Sequence, residues 1–113
     1  MATDIRAELR NCPVSARKVR LVIDLIRGKP AMEALDVIKF MTTSAANPLQ
    51  KLLTSAVANA EENFGINRDD LVIYKITADE APTRKWRRFG ARGRFKPLLK
   101  RASHVTVILR EQE

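Results

Sequence analysis

Nine cationic side chains crowd into residues 83–101: Arg84, Lys85, Arg87, Arg88, Arg92, Arg94, Lys96, Lys100 and Arg101. No Asp or Glu interrupts them. Trp86, Phe89 and Phe95 lie in the same stretch, half of the six aromatic residues in the chain. Cations pair with phosphate oxygens, and rings or guanidinium planes stack on exposed bases. Both kinds of group in one segment point to nucleic acid over a generic acidic partner. A disordered basic linker is the plain alternative, but such segments are poor in aromatic residues. Outside this stretch, 12 of the 21 Lys and Arg face all 13 Asp and Glu, so the segment supplies the whole net charge of +8. That surplus makes a polyanion the expected partner.

Residues for catalysis are scarce. His104 is the only histidine, and a lone imidazole on a strand reads as a packed or hydrogen-bonded structural residue. Ser103 beside it is no nucleophile–base pair, because neighbouring strand residues point to opposite faces. The pairs Glu61-Glu62, Asp69-Asp70 and Asp79-Glu80 sit at element ends and read as caps and solvated edges. No Gly-rich phosphate loop follows a strand, and no His, Cys and Asp share metal-ligand spacing. Cys12 has no second cysteine to bond, so a reduced, cytoplasmic setting is expected. An enzyme, a metal site and a cofactor are therefore not expected.

Membrane classes fit no better. No apolar run nears the roughly 18 residues of a membrane span. Residues 1–6 lack the continuous apolar core of a secretory signal. The basic segment lacks the helical amphipathicity of a membrane-active peptide. Two binding classes remain. One is an RNA-bound structural protein with a globular anchor and a penetrating arm. The other is an architectural DNA-binding protein with a ribbon in the minor groove, which calls for a dimer and an apolar wedge. Small residues flanked by Arg at the centre of the segment favour threading among RNA.

The elements that must carry the arm follow from periodicity. Ile5, Ala7 and Leu9 alternate with Arg6, Glu8 and Arg10, which predicts a half-buried strand over 4–11. Ser15 is placed as the N-cap of a first helix with an apolar stripe of Val19, Val22, Ile23 and Ile26, stopped by Gly28. A second helix is expected to open at Pro30, with Leu35 and Ile38 on its apolar edge. Asn47-Pro48 predicts a third start, with Asn47 as cap, a stripe of Leu49, Leu52, Leu53, Ala56, Val57 and Ala60, and a stop at Gly65. Residues 71–78 and 104–109 are rich in β-formers, and no helix pattern separates them. They can pair antiparallel. With Glu80 opposite Arg101, the midpoint falls at Gly90-Ala91, inside Phe89-Gly90-Ala91-Arg92-Gly93, where glycines suit a tight reversal. The length of chain bounds one domain over 1–113, and a strand from Leu71 to Ala91 would be about 65 Å long. Such an arm, about residues 80–102, cannot stay within a body of roughly 13 Å radius of gyration.

Four blocks of this sequence resemble one known family. Residues 15–29, SARKVRLVIDLIRGK, look like the first-helix signature of bacterial large-subunit ribosomal protein twenty-two. Ser55-Ala56-Val57-Ala58-Asn59-Ala60-Glu61 resembles the third helix of that family. Ala91-Arg92-Gly93-Arg94 and Lys100-Arg101-Ala102-Ser103-His104-Val105-Thr106-Val107 resemble its hairpin tip and return strand. The likeness covers nearly the whole chain in order and spacing. It implies an α+β fold of three helices packed on a three-stranded antiparallel sheet, two strands being prolonged into a long protruding basic hairpin. It also implies binding to large-subunit ribosomal RNA, help in early subunit assembly, and a hairpin that lines the nascent-peptide tunnel. Arg17, Lys18, Arg20, Arg92, Gly93, Arg94, Lys100 and Arg101 are carried over by that likeness as RNA-contacting or arm-shaping residues. Together with the arm cations and Trp86 they form the expected RNA-binding set, with Phe89, Gly90, Ala91 and Gly93 at the tip. Implied partners are ribosomal RNA, neighbouring large-subunit proteins and the nascent peptide, with no membrane and a monomer when free. The implied place is a cytoplasmic ribosome or that of an organelle. The chain departs from the family pattern at Ala16, where Pro is common, at Ala81, where Gly is common, and in the bulkier, more basic Trp86-Arg87-Arg88-Phe89-Gly90.

Overall fold

The computed structural model describes residues 4–82, 84–89 and 95–112, with backbone alone for 84–89 and 95–100. Among these residues the order is β1 (Ile5–Cys12), α1 (Ala16–Ile26), α2 (Ala31–Lys39), α3 (Ala46–Phe64), a short 3-10 turn (Arg68–Asp70), β2 (Leu71–Glu80), β3 (Arg84–Phe89), β4 (Phe95–Lys100) and β5 (Ser103–Glu111). β1, β5 and β2 form an antiparallel sheet in that spatial order, so the last strand lies in the middle. The three helices and this sheet make the expected α+β class. β3 and β4 pair separately.

The helical stripes are the core. Val19, Val22, Ile23 and Ile26 of α1 are buried, as are Leu49, Leu52, Leu53, Ala56, Val57 and Ala60 of α3. They meet the inner face of β5, where Ser103, Val105, Val107 and Leu109 are buried and their neighbours are half-buried. Alternation in β2 slips once. Leu71 and Ile73 face the core, and so do Ile76 and Ala78, three residues after Ile73 instead of two. A bulge between Ile73 and Lys75 absorbs the odd spacing. A second irregularity, between Leu9 and Cys12 of β1, contains Asn11 at φ 55, a conformation Asn tolerates better than most residues.

Helix starts differ from the sequence reading in detail. Ser15 holds the N-cap position, but its side chain makes no cap bond. α2 begins at Ala31, not Pro30; the Pro30 backbone instead bridges Val72. α3 begins at Ala46, so Asn47-Pro48 lies within the first turn and Asn47 caps nothing. Pro48 is tolerated there because first-turn N–H groups have no intrahelical acceptor. The stops agree with expectation: Gly28 has φ 77 and Gly65 has φ 64. Changing Gly65 to Ala forces an L-residue into the left-handed region. An equilibrium denaturation series is expected to show a loss of about 1–2 kcal/mol.

The register of the arm also differs. Glu80 pairs with Ser103, not with Arg101. The next ladder runs from Arg84↔Lys100 to Phe89↔Phe95, so the pairing is centred on position 92 and not between 90 and 91. Pro82 lacks the N–H that would continue the β2 ladder, which accounts for the break between the two sheets. Of the predicted tip, Phe89 ends β3, and Gly90, Ala91 and Gly93 lie outside the described residues. The molecule measures 63 × 25 × 19 Å, with a Cα radius of gyration of 17.0 Å, above the roughly 13 Å of a compact chain this long.

Candidate nucleic-acid interface

A cleft of about 760 Å³ opens where three distant segments meet. Ser15, Arg17 and Lys18 come from the start of α1, Ser44 and Pro48 from the entry to α3, and Glu80 and Arg101 from the ends of β2 and the β4–β5 connection. Arg17, Lys18 and Arg101 are exposed. Three cations against one carboxylate give the cleft a positive balance. The first turn of α1 adds to it, because it carries no acidic residue and its leading N–H groups point out of the helix. The arrangement suits a phosphate group. One wall is held by Ser103, fully buried, whose Oγ donates to the Val14 carbonyl at 2.8 Å.

Arg20 is placed differently from Arg17 and Lys18. Its Nε and Nη2 both donate to the Ala78 carbonyl, at 3.0 and 2.8 Å. β2 is an edge strand, so this guanidinium covers a backbone acceptor that would otherwise face solvent or a stray strand. Arg20→Met is expected to lower stability by about 1–2 kcal/mol and speed amide exchange in β2. It should leave the salt dependence of RNA binding almost unchanged, as measured by filter binding.

The register of β3 and β4 sets basic residues at directly paired positions. Arg84 pairs with Lys100 and Arg88 with Lys96, with Trp86 opposite Leu98 between them. Directly opposed like charges weaken an isolated strand pair. An anionic partner reverses the sign of that term. Lys85 and Arg87 alternate with this row, and Phe89 closes the ladder against Phe95. Arg92, Arg94, Gly90, Ala91 and Gly93 lie outside the described residues.

Several other polar groups hold elements of the fold together. His104 Nδ1 accepts from the Asn11 backbone N–H at 3.1 Å and so steadies the irregular end of β1, as expected for a lone histidine. Arg110 lies over the Tyr74 ring, 3.2 Å from its centroid, and pairs with Asp4. The hydrogen bond from Arg110, opposed by desolvation, holds the Asp4 carboxyl below its ordinary value. Arg110 is raised in turn, chiefly by the same bond. Glu61 likewise raises Arg68, through a hydrogen bond that ties the 3-10 turn to α3. Among the described residues no three His, Cys, Asp or Glu side chains could hold a metal ion, and no helix is long and apolar enough to cross a membrane.

The sequence profile of ribosomal protein L22p/L17e matches residues 7–110. This chain belongs to that family. Large ribosomal subunit protein uL22 of Pediococcus pentosaceus is 47% identical over 111 residues, covering 98% of this chain and 94% of the relative. The uL22 protein of Dehalococcoides mccartyi is 47% identical over 106 residues, covering 94% and 97%. An L22p/L17e member is a structural, non-enzymatic constituent of the large ribosomal subunit, and its place is the ribosome. Sequence reasoning found Arg17, Lys18 and Arg101 but not Ser44, Pro48 and Glu80 beside them, because no local pattern joins segments so far apart in the chain.

Proposed function

We propose that this L22p/L17e protein binds large-subunit ribosomal RNA through one continuous basic surface, formed by the α1 cleft and the paired strands β3 and β4. The single observation that carries this reading is the opposed like charges of the ladder, which make an anionic partner the natural complement. The chain acts as one RNA-binding domain over 1–113. Its arm, about residues 80–102, threads among RNA segments, assists early subunit assembly and lines the nascent-peptide tunnel with its tip. Arg84, Lys85, Arg87, Arg88, Arg92, Arg94, Lys96, Lys100 and Arg101 neutralise phosphates, and Trp86 stacks on a base or packs across the ribbon. Neighbouring large-subunit proteins and the nascent peptide are further partners; the protein is a monomer when free and works in a cytoplasmic ribosome. Sedimentation tests this reading: the purified chain is expected to travel with large-subunit ribosomal RNA at low salt and to leave it as salt rises. Binding that ignores salt would reject it.

A further inference from the structure

Two large apolar side chains stand out on the far side of α1. Leu21 is 68% exposed and Leu25 is 52% exposed. Residues three or four apart are neighbours on a helix surface. Arg17, Leu21 and Leu25 are each four apart, and Lys18 precedes Leu21 by three, so the four share one strip roughly 12 Å long. The strip is continuous with the basic cleft, because Arg17 and Lys18 also line it. The acid of the same helix, Asp24, is engaged by Arg27 at 3.5 Å. The buried stripe of Val19, Val22, Ile23 and Ile26 already serves the core, and Leu21 and Leu25 lie outside it.

We propose that this outer strip of α1 docks into the minor groove of an RNA helix. Leu21 and Leu25 lie on the ribose faces, and Arg17 and Lys18 hold the flanking phosphates. This rests on the RNA-binding reading above and extends it to a surface that contributes contact without charge. The A-form minor groove is wide and shallow and displays sugars, so it offers apolar ribose surface beside a row of phosphates. That pairing matches the strip, with cations at its N-terminal end and apolar residues beyond them. A protein partner could cover two leucines equally well. It would leave Arg17 and Lys18 in need of carboxylates, whereas a groove supplies anions along its whole rim.

The test uses the full chain and a large-subunit ribosomal RNA transcript in filter binding across a salt series, with thermal denaturation of each variant alone. The double variant Leu21→Ala, Leu25→Ala is expected to melt like the parent and to lose about 10- to 100-fold in affinity, at an unchanged salt slope. Arg17→Gln with Lys18→Gln should instead lower the slope by about 1–2 units. Parent-like affinity in the leucine variant overturns the proposal. So does a leucine variant that keeps its RNA affinity yet fails to enter subunits, since that result assigns the strip to a neighbouring protein. An unaltered parent that binds without salt dependence sinks the RNA-binding reading itself, which is a different result from failure of the leucine variant.

Discussion

Replacing residues 83–101 with a short Gly-containing turn is expected to flatten the salt dependence of RNA binding by roughly 4–6 units in log–log slope. Each neutralised phosphate contributes about 0.9 on duplex and about 0.7 on single strands. The segment carries nine cations, and most need contact phosphate to reach that figure. At moderate salt such a change amounts to a loss of about a thousandfold or more in affinity. The globular part should survive the replacement. None of the buried residues of α1, α2, α3 or β5 lies within 83–101. Thermal melting of the shortened chain should therefore stay cooperative, with filter binding read on the same sample. A salt slope equal to that of the parent would move the main RNA contact to α1 and its cleft.

The second large effect concerns folding. Ser103 is fully buried, and its Oγ donates to the Val14 carbonyl across the wall of the cleft. Ser103→Ala leaves that acceptor without its donor inside the protein. A buried polar group stripped of its partner costs about 1–3 kcal/mol. For a chain of this size each kcal/mol shifts the melting temperature by roughly 4–8 °C. RNA affinity should fall too, because the loop that leads through Ser15 into α1, with Arg17 in its first turn, loses its tie to β5. Calorimetry that finds no shift would mean that water or a backbone rearrangement satisfies Val14.

The expected outcomes separate two roles among cations that look alike in sequence. Arg17, Lys18 and Arg20 fall within one short basic run, and family resemblance carries all three over as RNA contacts. In the fold Arg17 and Lys18 stay exposed at the cleft, while Arg20 donates twice to Ala78. The angular offset of about 100° between successive helical residues turns the Arg20 side chain toward β2. Salt-slope measurements read this difference directly, since a guanidinium engaged with a backbone carbonyl releases few counterions on binding.

Much of this protein was legible residue by residue. The apolar stripes of α1 and α3, the alternation of β1 and the glycine stops at 28 and 65 all follow from short-range rules, in which side-chain direction repeats every two or 3.6 residues. The concentration of positive charge in 83–101 needed only counting. What the chain alone could not supply was position across long separations. The place of β5 between β1 and β2, the one-residue slips at Tyr74 and Asn11, and the centring of the arm on position 92 are properties of pairing, and pairing depends on how whole elements meet. The bond from Ser103 to Val14 spans 89 residues and that from Arg20 to Ala78 spans 58. The cleft exists only because the starts of α1 and α3, the end of β2 and the β4–β5 connection converge. Local periodicity says which face of an element is buried. Packing of those faces into one core then decides which polar groups find each other, and only the tertiary structure contains that information.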